Sequence, residues 1–178
     1  MATSLYGCRA AGHMNAATIQ LFLTKKEFES YYKFTFVRNP WDRLHSAYCF
    51  LSAGGMSAAD RDFEQKVLSD YHSFENFVIQ GLDDRRVLSY YHFIPQVNFI
   101  RGYQGKLITD FIGRFESLET DFYSVCEKIG SDSQLKNKNR NASKPEKSYT
   151  KAYSQEMIDK VSQVYRQDVE NLKYSFGT

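Results

Sequence analysis

The sequence has few of the residues that define several protein classes. Its three cysteines, Cys8, Cys49 and Cys126, are widely spaced and form no C-x-x-C pair, so we expect reduced core thiols and no metal site. No run of about 18 apolar residues is present that could span a membrane. Residues 1–12 lack the basic-then-apolar pattern of a signal peptide, and the chain is therefore expected to be cytoplasmic.

An excess of charge of either sign is also absent. The 23 lysines and arginines nearly balance the 21 acidic residues, which gives a net charge of +2. A nucleic-acid partner is therefore not predicted, and any anion site must come from local clustering of basic residues.

The sequence is rich in apolar residues, since 42% of its 178 residues are hydrophobic. This is enough for one core, and residues 1–178 are predicted to form a single domain.

Residues 34–48, FTFVRNPWDRLHSAY, carry the clearest pattern in the chain. Phe34–Val37 is an unbroken run of aromatic and β-branched residues, which favours a short strand buried on both faces. Asn39 is a good N-cap and Pro40 suits the first position of a helix, so a helix is predicted to follow the strand. The apolar residues at helical spacing, which predict its buried face, are Trp41, Leu44, Tyr48 and Leu51.

The junction between this strand and this helix is a candidate anion site. In open α/β sheets, anions collect where the carboxyl end of a strand meets the amino end of a helix. Arg38 lies at that junction and could fork onto a phosphate, while Ser46, off the apolar face, could add a hydroxyl. Spacing alone does not separate this interpretation from an alternative in which Arg38 pairs with a carboxylate such as Asp42 and Ser46 is a small packing residue.

The same string resembles the 3′-phosphate-binding motif of sulfotransferases, in particular the carbohydrate-type branch that includes the heparan 2-O-sulfotransferases. In that family the arginine and serine of the motif hold the 3′-phosphate of 3′-phosphoadenosine 5′-phosphosulfate (PAPS), and the resemblance assigns these roles to Arg38 and Ser46. It implies an α/β fold with a P-loop-NTPase-like parallel sheet flanked by helices. It also implies transfer of a sulfuryl group from PAPS to a hydroxyl on a carbohydrate acceptor, with adenosine 3′,5′-bisphosphate as the product.

The second cofactor element of the family is not found in this sequence. Relatives carry a loop resembling Pro-Lys-Thr-x-x-Thr-Ser after the first strand, where backbone amides and the lysine hold the 5′-phosphosulfate. Residues 1–12 offer neither that strand nor that lysine, so the sheet is expected to lack its first strand and the domain to be N-terminally incomplete. Because an exposed sheet edge invites pairing with another chain, a homodimer is one hypothesis for the assembly.

His13 is the candidate general base. Sulfotransferases similar to this chain have a Gly-His segment between the phosphate loop and the 3′-phosphate motif, and Gly12-His13 is the matching position. An unperturbed imidazole titrates at about pH 6.5, which suits removal of a proton from a sugar hydroxyl as it attacks sulfur. On the residues alone, a histidine at the entrance to a helix is more often a surface or packing residue.

Further elements are predicted in the second half of the chain. Residues 111–116 indicate a second parallel strand, and Ser117 is expected to cap the helix that follows. One long helix is predicted from Ser154 to Leu172. Asp168 interrupts the apolar face of that helix and is expected to meet a buried partner.

Residues 130–149 are rich in serine, asparagine and lysine. A loop of this length inside a compact domain is either functional or disordered. Sulfotransferases similar to this chain close a basic loop near the C-terminus over the cofactor, which makes Lys144, Lys147 and Tyr149 candidate cofactor-binding residues. A solvated loop without a ligand is the alternative.

These observations leave three hypotheses for the function. The first is a PAPS-dependent sulfotransferase in which His13 is the base and Arg38 and Ser46 hold the 3′-phosphate. The second is a catalytically incomplete relative that binds nucleotide or carbohydrate without turnover, because the 5′-phosphosulfate loop is missing. The third, a nucleotide kinase of similar fold, is disfavoured because the sequence has no G-x-x-x-x-G-K-[ST] motif.

Overall fold

The computed structural model describes residues 14–135 and 149–178, and it shows a helix-rich, mixed α/β protein. The mixed α/β class predicted from the sequence is confirmed. In chain order, the helices and strands are α1 (Ala16–Phe22), α2 (Lys25–Ser30), β1 (Phe34–Val37), α3 (Pro40–Ser52), α4 (Ala58–Lys66), α5 (Phe74–Ile79), α6 (Arg85–Leu88), α7 (Val97–Ile100), β2 (Phe111–Arg114), α8 (Leu118–Ile129), α9 (Gln155–Val164) and α10 (Arg166–Leu172).

The described residues divide into two compact units. One unit contains residues 14–37 and 96–135, and the other contains residues 38–95 and 149–178. Both strands lie in the first unit, and most of the buried apolar residues lie in the second. The single domain and the wider P-loop-NTPase-like sheet stay predictions.

The first unit is built on two parallel strands. β1 pairs with β2 so that Phe34 lies opposite Phe111 and Val37 lies opposite Arg114. The sequence predicted both strands and their parallel direction, and the structure confirms them. One short 3-10 turn and the longer helix α8 follow β2.

β1 is not buried on both faces, and that prediction was wrong. Val37 is buried, whereas Phe34 at the other end of the strand is exposed. On one face the ring of Phe36 packs over Gly113, so closely that a Cβ added to this glycine would come within 2.5 Å of the ring. The centroid of the Phe36 ring lies 6.4 Å from that of Phe122 on α8. An apolar strand is enclosed only where neighbouring strands and helices cover it, and the described sheet has two strands.

Helix α3 opens the second unit and begins as predicted. The Asn39 side chain accepts a 3.1 Å bond from the Trp41 N–H, and Pro40 occupies the first helical position. The helix ends before Gly54 and Gly55, whose φ angles of 87° and 57° are left-handed and favour glycine. The buried residues on its apolar face are Trp41, Leu44, Ala47 and Leu51.

The predicted long C-terminal helix is divided in two at Tyr165. Ser154 caps α9 as predicted, since its side chain accepts a bond from the Met157 N–H. At Tyr165 the backbone leaves the helical region, with ψ at 26°, and the buried hydroxyl donates a 2.8 Å bond to the carbonyl oxygen of Phe93. The prediction of one helix was wrong. The apolar residues keep their helical spacing across Tyr165, so the sequence shows no break there, and the hydrogen bond to Phe93 joins residues that are far apart in sequence.

A buried carboxylate organises the loop after α3. Asp60 accepts two backbone N–H bonds at the start of α4 (2.9 and 3.1 Å) and one hydroxyl bond each from Tyr90 and Tyr91 (both 2.7 Å). Burial alone would raise the pKa of Asp60, but these four donors lower it well below its usual value. His92 Nε2 lies 3.6 Å from the same carboxylate. The cluster therefore links α4 to residues 90–92.

The described residues also bear on two predictions about compartment. Within residues 14–135 and 149–178, no helix combines the length and apolar character that crossing a membrane requires. Cys126 is buried, as expected for a core thiol, but Cys49 is exposed, so that part of the prediction was wrong. Cys49 lies on a face of α3 turned away from Leu44 and Leu51. Cys8 is outside the described residues.

Candidate functional site

Three polar side chains follow one line along the start of α3. Arg38 comes just before the N-cap, Asp42 lies in the first turn and Ser46 lies one turn further on. Residues four apart on a helix lie on the same face, so Asp42 and Ser46 lie on consecutive turns of one face of α3. All three residues are half-buried.

Arg38 and Asp42 form an ion pair. The guanidinium Nε lies 2.5 Å from Oδ2 of Asp42, and the two side chains are 18% and 23% exposed. This is the alternative that the spacing left open for Arg38. A guanidinium has five N–H donors, so one bond to a carboxylate does not by itself exclude a phosphate partner. The two interpretations of Arg38 are therefore compatible.

The second arginine of the motif, Arg43, is half-buried on α3. Burial lowers the pKa of the Arg43 guanidinium, the negative charge of Asp168 on α10 raises it, and the positive charge of Arg38 lowers it. Asp168 is fully buried, so its predicted buried partner is a cation on α3. The sequence reasoning did not select Arg43 as a site residue. The available signal was Asp168 itself, since an acid on an apolar face requires a nearby positive charge.

Asn39 binds the C-terminal tail to the start of α3. Its side chain is fully buried, and Nδ2 donates bonds to the carbonyl oxygens of Ser175 (2.8 Å) and Thr178 (2.9 Å). The oxygen of the same amide accepts the N-capping bond from Trp41. One side chain thus starts the helix and holds residues more than 130 positions later in the chain.

An aromatic cluster surrounds the tail. The ring of Phe176 lies 5.8 Å from Trp41 and 5.6 Å from both Tyr149 and Tyr153. The Tyr149 hydroxyl accepts a 2.8 Å bond from the Gly177 N–H, and the Tyr153 hydroxyl donates a 2.7 Å bond to the Trp41 carbonyl. Burial raises the pKa of Tyr153 well above its usual value. These contacts dock the aromatic tail on the start of α3.

Three of the predicted site residues lie in the second unit. Arg38 directly precedes the N-cap of α3, Ser46 lies on that helix, and Tyr149 packs against Phe176, whose ring also packs against Trp41. The roles assigned to them stay predictions. The predicted site residues that lie outside the described residues are His13, Lys144 and Lys147.

Comparison with known proteins identifies the family. The sequence profile of the sulfotransferase family matches residues 11–175, which include the whole of α3 and end at Ser175 in the tail. The chain belongs to the sulfotransferase family. This sulfotransferase is also 32% identical over 122 residues to an uncharacterized protein of Archaeoglobus fulgidus, a match that covers 68% of this chain and 87% of the relative. No solved structure matches it.

Arg38 and Ser46 both carry hydrogen-bond donors at the start of α3. Arg38 offers a planar, permanently charged guanidinium before the N-cap, and Ser46 offers a hydroxyl in the second turn of the helix. Guanidinium and hydroxyl donors of this kind are able to bind a phosphate oxygen. Asp42, between them in sequence, adds an opposing negative charge beside Arg38.

We expect Asn39→Ala to lower the free energy of unfolding by about 3 kcal/mol, because it removes an N-cap and leaves two carbonyl oxygens of the tail without this donor. Urea denaturation would be followed by circular dichroism and by fluorescence of Trp41, the single tryptophan of the chain.

Asn15→Ala is the matched control for this change. Asn15 caps α1 through one bond to the Thr18 N–H, so its replacement should cost about 1 kcal/mol. Equal losses for the two variants would show that the bonds from Asn39 to the tail contribute nothing measurable.

Proposed function

We propose that this sulfotransferase transfers a sulfuryl group from PAPS to an acceptor hydroxyl, and that the acceptor is a carbohydrate. The observation that carries the proposal is the position of Arg38 directly before the N-cap of α3 and of Ser46 on that helix, within a chain of the sulfotransferase family. The string around them resembles the motif that holds the 3′-phosphate of PAPS in the carbohydrate-type branch. PAPS would supply the activated sulfuryl group.

Each residue of the proposed site has one role. The Arg38 guanidinium donates to the 3′-phosphate and neutralises part of its charge, and the Ser46 hydroxyl adds a further donor. Lys144 and Lys147 contribute positive charge from the basic segment. Tyr149, which packs against Phe176 of the tail, fixes the end of that segment near the start of α3.

His13 handles the proton of the acceptor. As the acceptor oxygen forms its bond to sulfur, the bond from sulfur to the departing bisphosphate breaks, and the imidazole takes the hydroxyl proton. Adenosine 3′,5′-bisphosphate then leaves. A neutral imidazole suits this role near pH 7, since its unperturbed pKa is about 6.5.

Arg38→Ala should remove the preference of the protein for a 3′-phosphate. We expect the parent to bind adenosine 3′,5′-bisphosphate more tightly than adenosine 5′-monophosphate, and the variant to bind the bisphosphate roughly 30-fold more weakly than the parent, because a charge-assisted bond is lost. Isothermal titration calorimetry with both nucleotides measures the difference.

Arg61→Ala, which removes an exposed arginine on α4, is the control for loss of one positive charge. It should bind both nucleotides as the parent does. If the unsubstituted protein binds the two nucleotides with equal affinity, the proposed 3′-phosphate site is excluded, and so is the reason for proposing PAPS as the donor.

His13→Ala should lower the rate of sulfuryl transfer by about 100-fold or more, because the proton acceptor is lost. Transfer of label from [35S]PAPS to a panel of glycans and small alcohols is the measurement. His72→Ala, at an exposed position in the second unit, is the matched control and should leave the rate unchanged. Full activity of the His13 variant would exclude this histidine as the base.

A second candidate is a sulfotransferase relative that binds the nucleotide or a carbohydrate without turnover. Two observations favour it, namely the absence of a lysine-bearing phosphosulfate loop from the sequence and the ion pair that already occupies Arg38. The same labelled assay decides between the two candidates. Binding of the bisphosphate without transfer of label to any acceptor would establish the non-catalytic function.

The assembly that we propose is a homodimer. Within the described residues the sheet has two strands, and Phe34 on β1 is exposed. Strand edges and apolar side chains of this kind are covered by pairing with another chain in many proteins. Light scattering coupled to size-exclusion chromatography should give twice the 20.7 kDa chain mass, and a monomer at high concentration would rule the dimer out.

A further inference from the structure

Asp42 occupies the centre of the proposed 3′-phosphate site. It lies one turn before Ser46 on the same face of α3, and its carboxylate contacts the Nε of Arg38, the residue before the N-cap, at 2.5 Å. Phosphate oxygens and carboxylate oxygens seek the same donors of a guanidinium. The arginine that would recognise the cofactor therefore already holds an anion that belongs to the protein.

The strength of this internal pair follows from its setting. Only 18% of the Arg38 side chain and 23% of the Asp42 side chain are exposed, so water and salt screen their attraction less than at an open surface. Asp42 also lies in the first turn of a 13-residue helix, where a negative charge is favoured by the helix dipole. Both effects favour the position of the carboxylate beside Arg38.

We infer that Asp42 acts as an internal competitor for Arg38, which a 3′-phosphate must displace, and that it thereby sets the affinity of the site. This inference rests on the proposed function. A phosphate that approaches Arg38 and Ser46 also meets the negative charge of Asp42 directly. Removal of that charge should therefore strengthen binding of a 3′-phosphorylated nucleotide.

Two other roles for Asp42 predict different results. If the carboxylate serves only the helix dipole, its removal lowers stability and leaves the affinity for nucleotides unchanged. If it holds Arg38 in the geometry that binds phosphate, its removal weakens binding. Only a competitor gives tighter binding together with unchanged or lower stability, so affinity and stability have to be measured on the same variants.

The test uses Asp42→Asn, which keeps the shape of the side chain, and Asp42→Ala, which also removes the acceptor. The control is Asp62→Asn on α4, where Asp62 pairs with Lys66 at the same spacing but on an exposed surface. Calorimetry with adenosine 3′,5′-bisphosphate and with adenosine 5′-monophosphate gives the affinities, and urea denaturation gives the stability. The full chain is used throughout.

We expect both Asp42 variants to bind the bisphosphate about fivefold more tightly than the parent, with little change for the 5′-monophosphate. Asp62→Asn should match the parent with both nucleotides.

Results that differ from these expectations distinguish failure of the Asp42 competitor from failure of the proposed function. Equal or weaker binding by the Asp42 variants, with a clear preference in the parent, would overturn the competitor and leave the proposed function in place. No preference for the bisphosphate in the parent or in either Asp42 variant would overturn both. Tighter binding by Asp62→Asn as well would show a general effect of net charge and would also overturn the competitor.

Discussion

The hydrogen bonds of one buried amide, that of Asn39, hold the candidate site together. Its oxygen starts α3, and its nitrogen holds the carbonyl groups of Ser175 and Thr178. Because Arg38 immediately precedes this residue, the direction in which the chain presents the guanidinium is set by the same contacts. A helix start exposed to water would leave that arginine on a fraying end, whereas here both sides of the amide are bonded.

Each of the two arginines at the start of α3 lies near a negatively charged carboxylate, which weakens the positive electrostatic potential at the candidate site. Arg38 is balanced by Asp42, and Arg43 is balanced by the buried Asp168. The positive charge of each arginine is therefore partly compensated by a nearby carboxylate. In a chain with a net charge of only +2, the proposed binding of a phosphate would depend on these local partners more than on a broad positive surface.

Features encoded by neighbouring residues could be predicted from the sequence. Asn39 and Pro40 fix the start of α3, and the apolar runs at 34–37 and 111–114 fix the two strands, because the signals lie within the elements themselves. Ser117 was placed correctly at the start of α8, but its hydroxyl donates to Asp121 and makes no capping bond to the backbone.

Features that depend on contacts between distant segments could not be read in this way. The break at Tyr165 depends on a bond to Phe93, and the exposure of Phe34 depends on how many strands flank β1. For the candidate site, the family motif indicated Arg38 and Ser46, whereas the pairing of Arg43 with Asp168 needed the fold. The sequence did not predict that Asn39 binds the tail. The capping pattern uses only the side-chain oxygen of Asn39, and nothing in it indicates the partner of the side-chain nitrogen.

The phenol of Tyr153 has a consequence for how the site responds to its surroundings. Because burial keeps this group protonated far into the alkaline range, its bond to the Trp41 carbonyl is a permanent donor contact. The turn that follows the basic segment thus stays attached to the motif helix whether the surrounding medium is mildly acidic or mildly alkaline. The phenol proton that makes this attachment is thus retained in the range of pH in which an imidazole gains or loses its charge.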